Sequence, residues 1–289
     1  MRHWLDAAGR SVRLVAERPE LWLPGALAWT ASVGWIPFIV AVARPPSVAE
    51  LTFLGARIVT SGAWPWNAVL IGVGFVAVVL LAFAVTAAAN AALIAQLARR
   101  APSPGDVRRI LTVDLIAALP AAIVALVLLI ALVGVAPSEF NAPEPAGGPV
   151  LRTIARLTPY LLLLGLTIAA GAALAAVAGR LAVDRRHRVP HALRSAPSMM
   201  IRAPLAAHAI LAFATSLAYL AFAAILLTVL WAPISAQLAA GGGNDVATTL
   251  LLVGFVAIWL CLVLAGGALQ AWSAATWSRL LATDAIRRT

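Results

Sequence analysis

The 289-residue chain contains no lysine, one cysteine and two tyrosines, and only 11% of its residues are charged. An ordinary soluble domain is about 25% charged, so this chain could not clothe a water-facing surface. Acidic residues are scarcer still, 11 in all. The runs 67–98 and 246–278 hold no Asp, Glu, Arg, His or Tyr at all. These absences exclude a soluble enzyme, a disordered chain and a DNA-binding domain. The single Cys261 excludes an internal disulfide and hence a disulfide scaffold. Its place in an apolar run suggests a small core residue.

What the chain does have is apolar surface: 63% of its residues are hydrophobic and the mean hydropathy is +0.97. About 20 apolar residues cross a bilayer. Six runs are long enough, giving an all-α polytopic membrane protein with spans at Leu21–Ala43, Asn67–Ala98, Leu115–Ala136, Leu157–Leu181, Ala203–Trp231 and Val246–Leu281. Ala41-Val42-Ala43 has the form of a signal-peptidase site, but the preceding apolar stretch is too long for a signal sequence, and the reading is an uncleaved first span.

The 21 arginines and the net charge of +10 would suggest nucleic acid in a soluble domain. Here the arginines sit between spans, so topology explains them and no nucleic-acid partner is expected. Seventeen fall in the N-terminal segment, the 99–114 and 180–202 loops and the C-terminus; only Arg44, Arg57, Arg152 and Arg156 fall in the opposite loops. That bias puts both termini in the cytoplasm of a bacterial inner membrane. The basic rim (Arg10, Arg13, Arg99, Arg100, Arg108, Arg109, Arg185, Arg186 and Arg188) would face anionic lipid headgroups or a protein partner. Trp64 and Trp66 at the outer edge, and Trp22, Trp272 and Trp277 at the inner one, are expected as headgroup anchors.

A three-fold repeat runs through the spans, with approximate limits 1–100, 101–188 and 189–289. Residues 87–99, 168–180 and 267–279 align without gaps on Arg99, Arg180 and Arg279, which puts Asn90, Gly171 and Gln270 at one equivalent place. Each unit is a basic cytoplasmic elbow, a span, an outer loop and a returning span. All enter from the cytoplasm, so the repeats are parallel, about an axis along the membrane normal. In the first elbow Trp4, Leu5, Ala8, Val12 and Val15 oppose Arg2, Asp6, Arg10, Arg13 and Glu17. That is an amphipathic helix on the inner leaflet, stopped by Pro19. Shorter elbows are expected near 104–113 and 190–201. Rows of small residues at Ala87, Ala91 and Ala95, at Gly171, Ala175 and Gly179, and at Gly267, Ala271 and Ala275 would let helices pack closely within the monomer. The outer loops at 44–47, 143–149 and 241–243 read as irregular connections, and 48–59 as a short interfacial helix.

Catalytic chemistry is hard to find. The deep membrane region lacks Asp, Glu and Arg, which weighs against a carboxylate-coupled transporter. Asp114 lies near the inner interface beside Arg108 and Arg109 and reads as a solvated or paired group. His187 and His191 have Pro190 between them and no third ligand, and the sequence has neither HExxH nor GxSxG. No catalytic residue, metal or cofactor is expected. The polar groups left in the spans make Asn90, Gln270 and His208 candidates for a cavity lining, with interhelical hydrogen bonding as the alternative.

The elbow-plus-hairpin unit, led into its spans by Arg18-Pro19 and Arg202-Ala203-Pro204, resembles the bacterial six-span family described as the membrane domain of glycerophosphoryl diester phosphodiesterases, with its uncharacterised relatives. The resemblance implies six spans and transfers no catalytic residue, because that family's chemistry belongs to a separate soluble domain. The chain also resembles exporter-type ABC permeases in its six spans and N-terminal elbow, although residues 232–245 are too short for a re-entrant segment and the chain has no nucleotide-binding motif. The functional expectation is a non-catalytic membrane subunit working with protein partners, a cytoplasmic ATPase among the candidates, in transport or envelope organisation. A stand-alone permease or channel is the rival.

Overall fold

The computed structural model describes residues 2–43, 48–140, 148–241 and 245–286. All regular structure among them is helical. The helices are α1 (Arg2–Glu17), α2 (Trp22–Trp29), α3 (Ile36–Val42), α4 (Val48–Thr60), α5 (Trp66–Leu97), α6 (Pro104–Phe140), α7 (Pro149–Val183), α8 (Val189–Met200), α9 (Ala203–Ala239) and α10 (Val246–Ile286). Five stretches are long and apolar enough to cross a membrane: Trp66–Leu97, Pro104–Ala136, Leu151–Val183, Ala203–Ala239 and Val246–Thr283. The first expected span is broken. A π-helical turn, Thr30–Gly34, joins α2 to α3, and the axis bends by 52° there. Counting that bent pair as one crossing gives six.

The break has a local cause. Pro37 has no N–H to give the carbonyl of Val33, so the regular ladder fails one turn before it. Ser32 Oγ donates instead to the carbonyls of Ala28 (2.8 Å) and Trp29 (3.0 Å). The loosened turn lets the Trp29 ring fold against Gly34, where a Cβ would overlap it. Proline alone does not suffice, since Pro159 and Pro233 lie inside helices that continue through them.

Contacts group the described residues into two packing units. One contains α6, α7, α8, the start of α9 and the end of α10. Its centre is the antiparallel α6–α7 hairpin, tied at three levels. Where α6 begins and α7 ends, Arg109 Nη1 donates to the carbonyl of Ala182 (3.2 Å). About a third of the way along α6, a Cβ on Gly171 would lie 2.7 Å from the carbonyl oxygen of Ala117. Where α6 ends and α7 begins, the carboxylate of Glu139 accepts from Arg152 (2.8 Å) and pairs with Arg156 (2.8 Å). Helix α8 packs on α7, burying Ala192, Ala196 and Met199.

The other unit contains most of α1, α2 to α5, and the remainder of α9 and α10. Helix α2 packs on α5 and crosses α10 so closely that a Cβ on Gly25 would fall on the carbonyl of Gly267. Helix α3 packs on α9 and α10 instead: Phe38 meets Trp259 at 5.2 Å and Phe255 at 6.0 Å between ring centroids. The α9–α10 pairing is held by Tyr219 Oη donating to the Leu262 carbonyl (2.6 Å) and by Thr248 Oγ1 donating to Gln237 Oε1 (2.8 Å). Asn67 Nδ2 donates to the carbonyl of Ile58 (2.9 Å) and to Ser61 Oγ (2.6 Å), which fixes the corner between α4 and α5.

Several expectations change. The 104–113 elbow is not separate, because α6 runs unbroken from Pro104. The 190–201 elbow is a distinct helix, α8. Cys261 is exposed, not a core residue; it lies on the apolar outer surface, which hydropathy cannot distinguish from a core in a lipid-facing helix. The small-residue rows pack inside the chain: Ala87, Ala91, Ala95, Ala271 and Ala275 are buried. Arg44, the 44–47 exit and residues 143–147 and 242–243 of the outer loops lie outside the described residues.

Candidate functional site

Asn90 is half-buried on α5 and Gln270 half-buried on α10, both in the unit that holds α2 and α5. His208 is fully buried in the other unit, its ring edge-on to Trp277 at 4.7 Å between centroids. Gly171, the third equivalent of Asn90 and Gln270, leaves no room for a cavity, because the Ala117 backbone lies against it. Among the described residues no three His, Cys, Asp or Glu side chains cluster as metal ligands would. His187 and His191 stack edge-to-face at 5.0 Å. Asp114 is half-buried on α6.

The basic rim divides into two kinds of arginine. Arg10, Arg13, Arg99, Arg100, Arg108, Arg186 and Arg188 are exposed. Others tie neighbouring helices near their C-terminal ends. Arg109 reaches the α7 carbonyl at Ala182, and Arg185 Nη2 donates to the α10 carbonyl at Leu281 (3.0 Å). Arg18, outside the expected rim, reaches the α5 carbonyl at Gln96 (3.4 Å). Arg18 and Arg109 thereby place a cation at a helix C-terminus, where the dipole is negative, and Arg185 places one near the end of α10. Arg180 is buried, its Nε donating to Ser278 Oγ (3.1 Å) and its Nη1 to the Ala176 carbonyl (2.8 Å). Sequence reading took Arg109 and Arg185 as surface charge, since spacing along one helix says nothing about a carbonyl on another.

Helix α1 has three faces. Ala7, Ser11 and Val15 are buried against the protein. Leu5 and Val12 are exposed and apolar, and Asp6, Arg10 and Arg13 are exposed and polar. So Val15, expected on a lipid-facing stripe, belongs to the protein-facing one. Two inner-edge tryptophans pin this helix. Trp22 Nε1 donates to the Val15 carbonyl (2.9 Å) and Trp272 Nε1 to the Ala8 carbonyl (3.1 Å). Trp22 and Trp272 are therefore staples and Trp277 is a buried core residue, whereas Trp64 and Trp66 are exposed, as headgroup anchors would be.

The most distinctive surface lies on α5. From Val69 to Leu81 all sides of this helix are open; Val79 alone is half-buried. Gly72 and Gly74 have no atom near the position a Cβ would take. These 13 residues cover ~19 Å, more than one leaflet of a ~30 Å hydrocarbon core. Burial begins only at Ala87. The cause is the joint at Thr30–Gly34, which sends α3 to α9 and α10 and leaves the outer half of α5 without the neighbour that α2 gives its inner half.

No family model matches the chain, and no curated protein or solved structure is similar to it.

Proposed function

We propose that the protein is a non-catalytic subunit of a membrane complex, acting in transport or envelope organisation and docking a partner's transmembrane helix on the outer half of α5. The observation that carries this reading is the all-round exposure of 69–81. A helix facing lipid on one side and its own fold on the other shows a protected stripe; this segment shows none. The reading includes six crossings arranged as three parallel repeats, both termini in the bacterial cytoplasm, and the exposed arginines resting on anionic headgroups. The three-faced α1 supports that placement, with its apolar stripe in the inner leaflet and Arg10 and Arg13 at the headgroups.

A photo-crosslinking amino acid at Leu70 or Val73, in native membranes, tests the docking. The expected product is a covalent adduct with a second polypeptide that co-purifies with the chain. Adducts with lipid alone, together with solute movement by the purified chain in liposomes, would overturn the subunit reading in favour of a stand-alone permease. Reporter fusions at Met1 and Thr289 test the orientation; either terminus outside overturns it.

A further inference from the structure

We propose that the first span is a hinged gate: α3 swings about the π turn at Thr30–Gly34 between the face of α9 and α10, where it rests here, and the bare outer half of α5. The inference does not depend on a partner protein. It begins with the joint itself. A π turn in an otherwise α-helical span is a recurring mark of functional sites, and helices kink sharply at such turns. Beyond it α3 is only seven residues long and its outer end leads straight into the connection to α4, so little chain must move with it.

The two resting places are both apolar and both on the page. On the observed side Pro37 and Ala41 are buried, and Phe38 meets Phe255 and Trp259. The opposite side of α3 exposes Ile39 and Val40. Across from it, α5 carries a continuous face through Leu93, Thr86, Ala82, Val79, Phe75 and Gly72, spaced by seven, four, three, four and three residues as one side of a helix requires. Leu93 is buried, Thr86, Ala82 and Val79 are half-buried, and Phe75 and Gly72 are exposed. The face is progressively uncovered from the point where the span bends away. The register fixed by Arg18 on Gln96, and by Leu21 beside Leu93 in one cluster, puts Ile39 level with Phe75 and Val42 level with Gly72 in a straightened span. Such a span would cover this face, and Gly72 offers the closest approach.

The latch is Trp29. Its ring sits between Gly34 and Gly266, where a Cβ on either would overlap it, and edge-on to Tyr219 at 5.6 Å between centroids. With the ring seated there, the π turn is held and α3 stays on α9 and α10. Displacing the ring frees the turn to regain α-helical winding. Two packings of one short apolar segment, chosen by one side chain, make a bistable element of the kind that gates membrane paths. The side chains that α3 and the outer half of α5 leave exposed are apolar, so a lipophilic molecule could reach them sideways from the bilayer.

Disulfide trapping in native membranes, in a Cys261→Ala background, tests the gate. Ile39→Cys with Phe75→Cys reports the α5 position, Phe38→Cys with Trp259→Cys the observed one, and Gln237→Cys with Thr248→Cys serves as a fixed reference. The expected result is that both reporter pairs crosslink to completion, the Ile39–Phe75 pair several-fold more slowly. Gly34→Ala, which ejects the Trp29 ring, should then speed it several-fold. An Ile39–Phe75 pair that stays open while the reference closes would overturn the proposal, as would a Phe38–Trp259 pair that never forms. Spin labels at the exposed positions Val40 and Gly74 give a reading that does not alter buried packing. Two distance populations are expected, and a single one would equally overturn the gate.

Discussion

The α6–α7 hairpin and the hairpin made by the first span with α5 are both built from long apolar runs and end differently. Both pack tightly in their inner halves through small residues. The α6–α7 pair stays together to its outer end, where Glu139 is buried between Arg152 and Arg156. The first pair separates at the π turn, and no equivalent clasp joins α3 to α5 among the described residues. In lipid the apolar surface of a helix gains little from an apolar neighbour, because acyl chains solvate it as well. Whether two spans stay together is therefore decided by close backbone approach and by polar ties. The second hairpin has both near the start of α6 and a polar clasp at its far end, and the first has them only below Trp29.

The largest effect should come from the clasp. Glu139→Ala leaves the Arg152 guanidinium, 22% exposed, without its carboxylate, and removing one partner of a buried pair costs about 3 kcal/mol or more. A thermal-melt series in lipid should show a large loss for this variant and less than ~1 kcal/mol for Arg156→Ala, whose side chain is 63% exposed. Equal small losses would mean that the clasp does not hold the hairpin. Next comes the crossing at Gly171. An added methyl 2.7 Å from the Ala117 carbonyl meets backbone and must push the helices apart, so Gly171→Ala should destabilise by ~1–3 kcal/mol. Smaller again is Asn90→Leu: Asn90 is half-buried, and an interhelical hydrogen bond in a membrane is worth only ~1 kcal/mol or less, so the expected cost is no larger than that. Loss of function with an unchanged melting temperature would instead make Asn90 part of a pathway. Smallest is Gly72→Ala, with nothing for its methyl to touch; it should be neutral or stabilise by up to ~1 kcal/mol through helix propensity. The opposite signs expected at Gly171 and Gly72 sharpen the comparison, since the substitution is the same in both.

Much of this was readable in advance. Uncharged runs located the long helices, the 48–59 pattern foretold α4, and the spacing in 4–17 foretold α1. The first span read as continuous because hydropathy is indifferent to a helix break. The signal lay in Ser32, Gly34 and Pro37, which together allow what Pro159 and Pro233 alone do not. The three-face division of α1 was hidden because Leu5 and Val15 are equally apolar, and only the fold tells lipid from protein. The ties made by Arg18, Arg109 and Arg185 were hidden because their acceptors are backbone carbonyls, which every sequence has. The candidates Asn90, Gln270 and His208 were chosen for polarity within spans, whereas the distinctive surface of α5 is defined by what does not touch it.

The central claim is that the outer half of α5 lacks a protein neighbour while the corresponding part of α7 has one. A nitroxide scan of oxygen accessibility, on the purified chain in lipid, measures this directly at 69–81 and 151–162. The account predicts high accessibility at nearly every α5 position, and in α7 a helical rhythm with minima at Thr153 and Leu157, which are buried here. A helical rhythm of the same depth in α5 would contradict it.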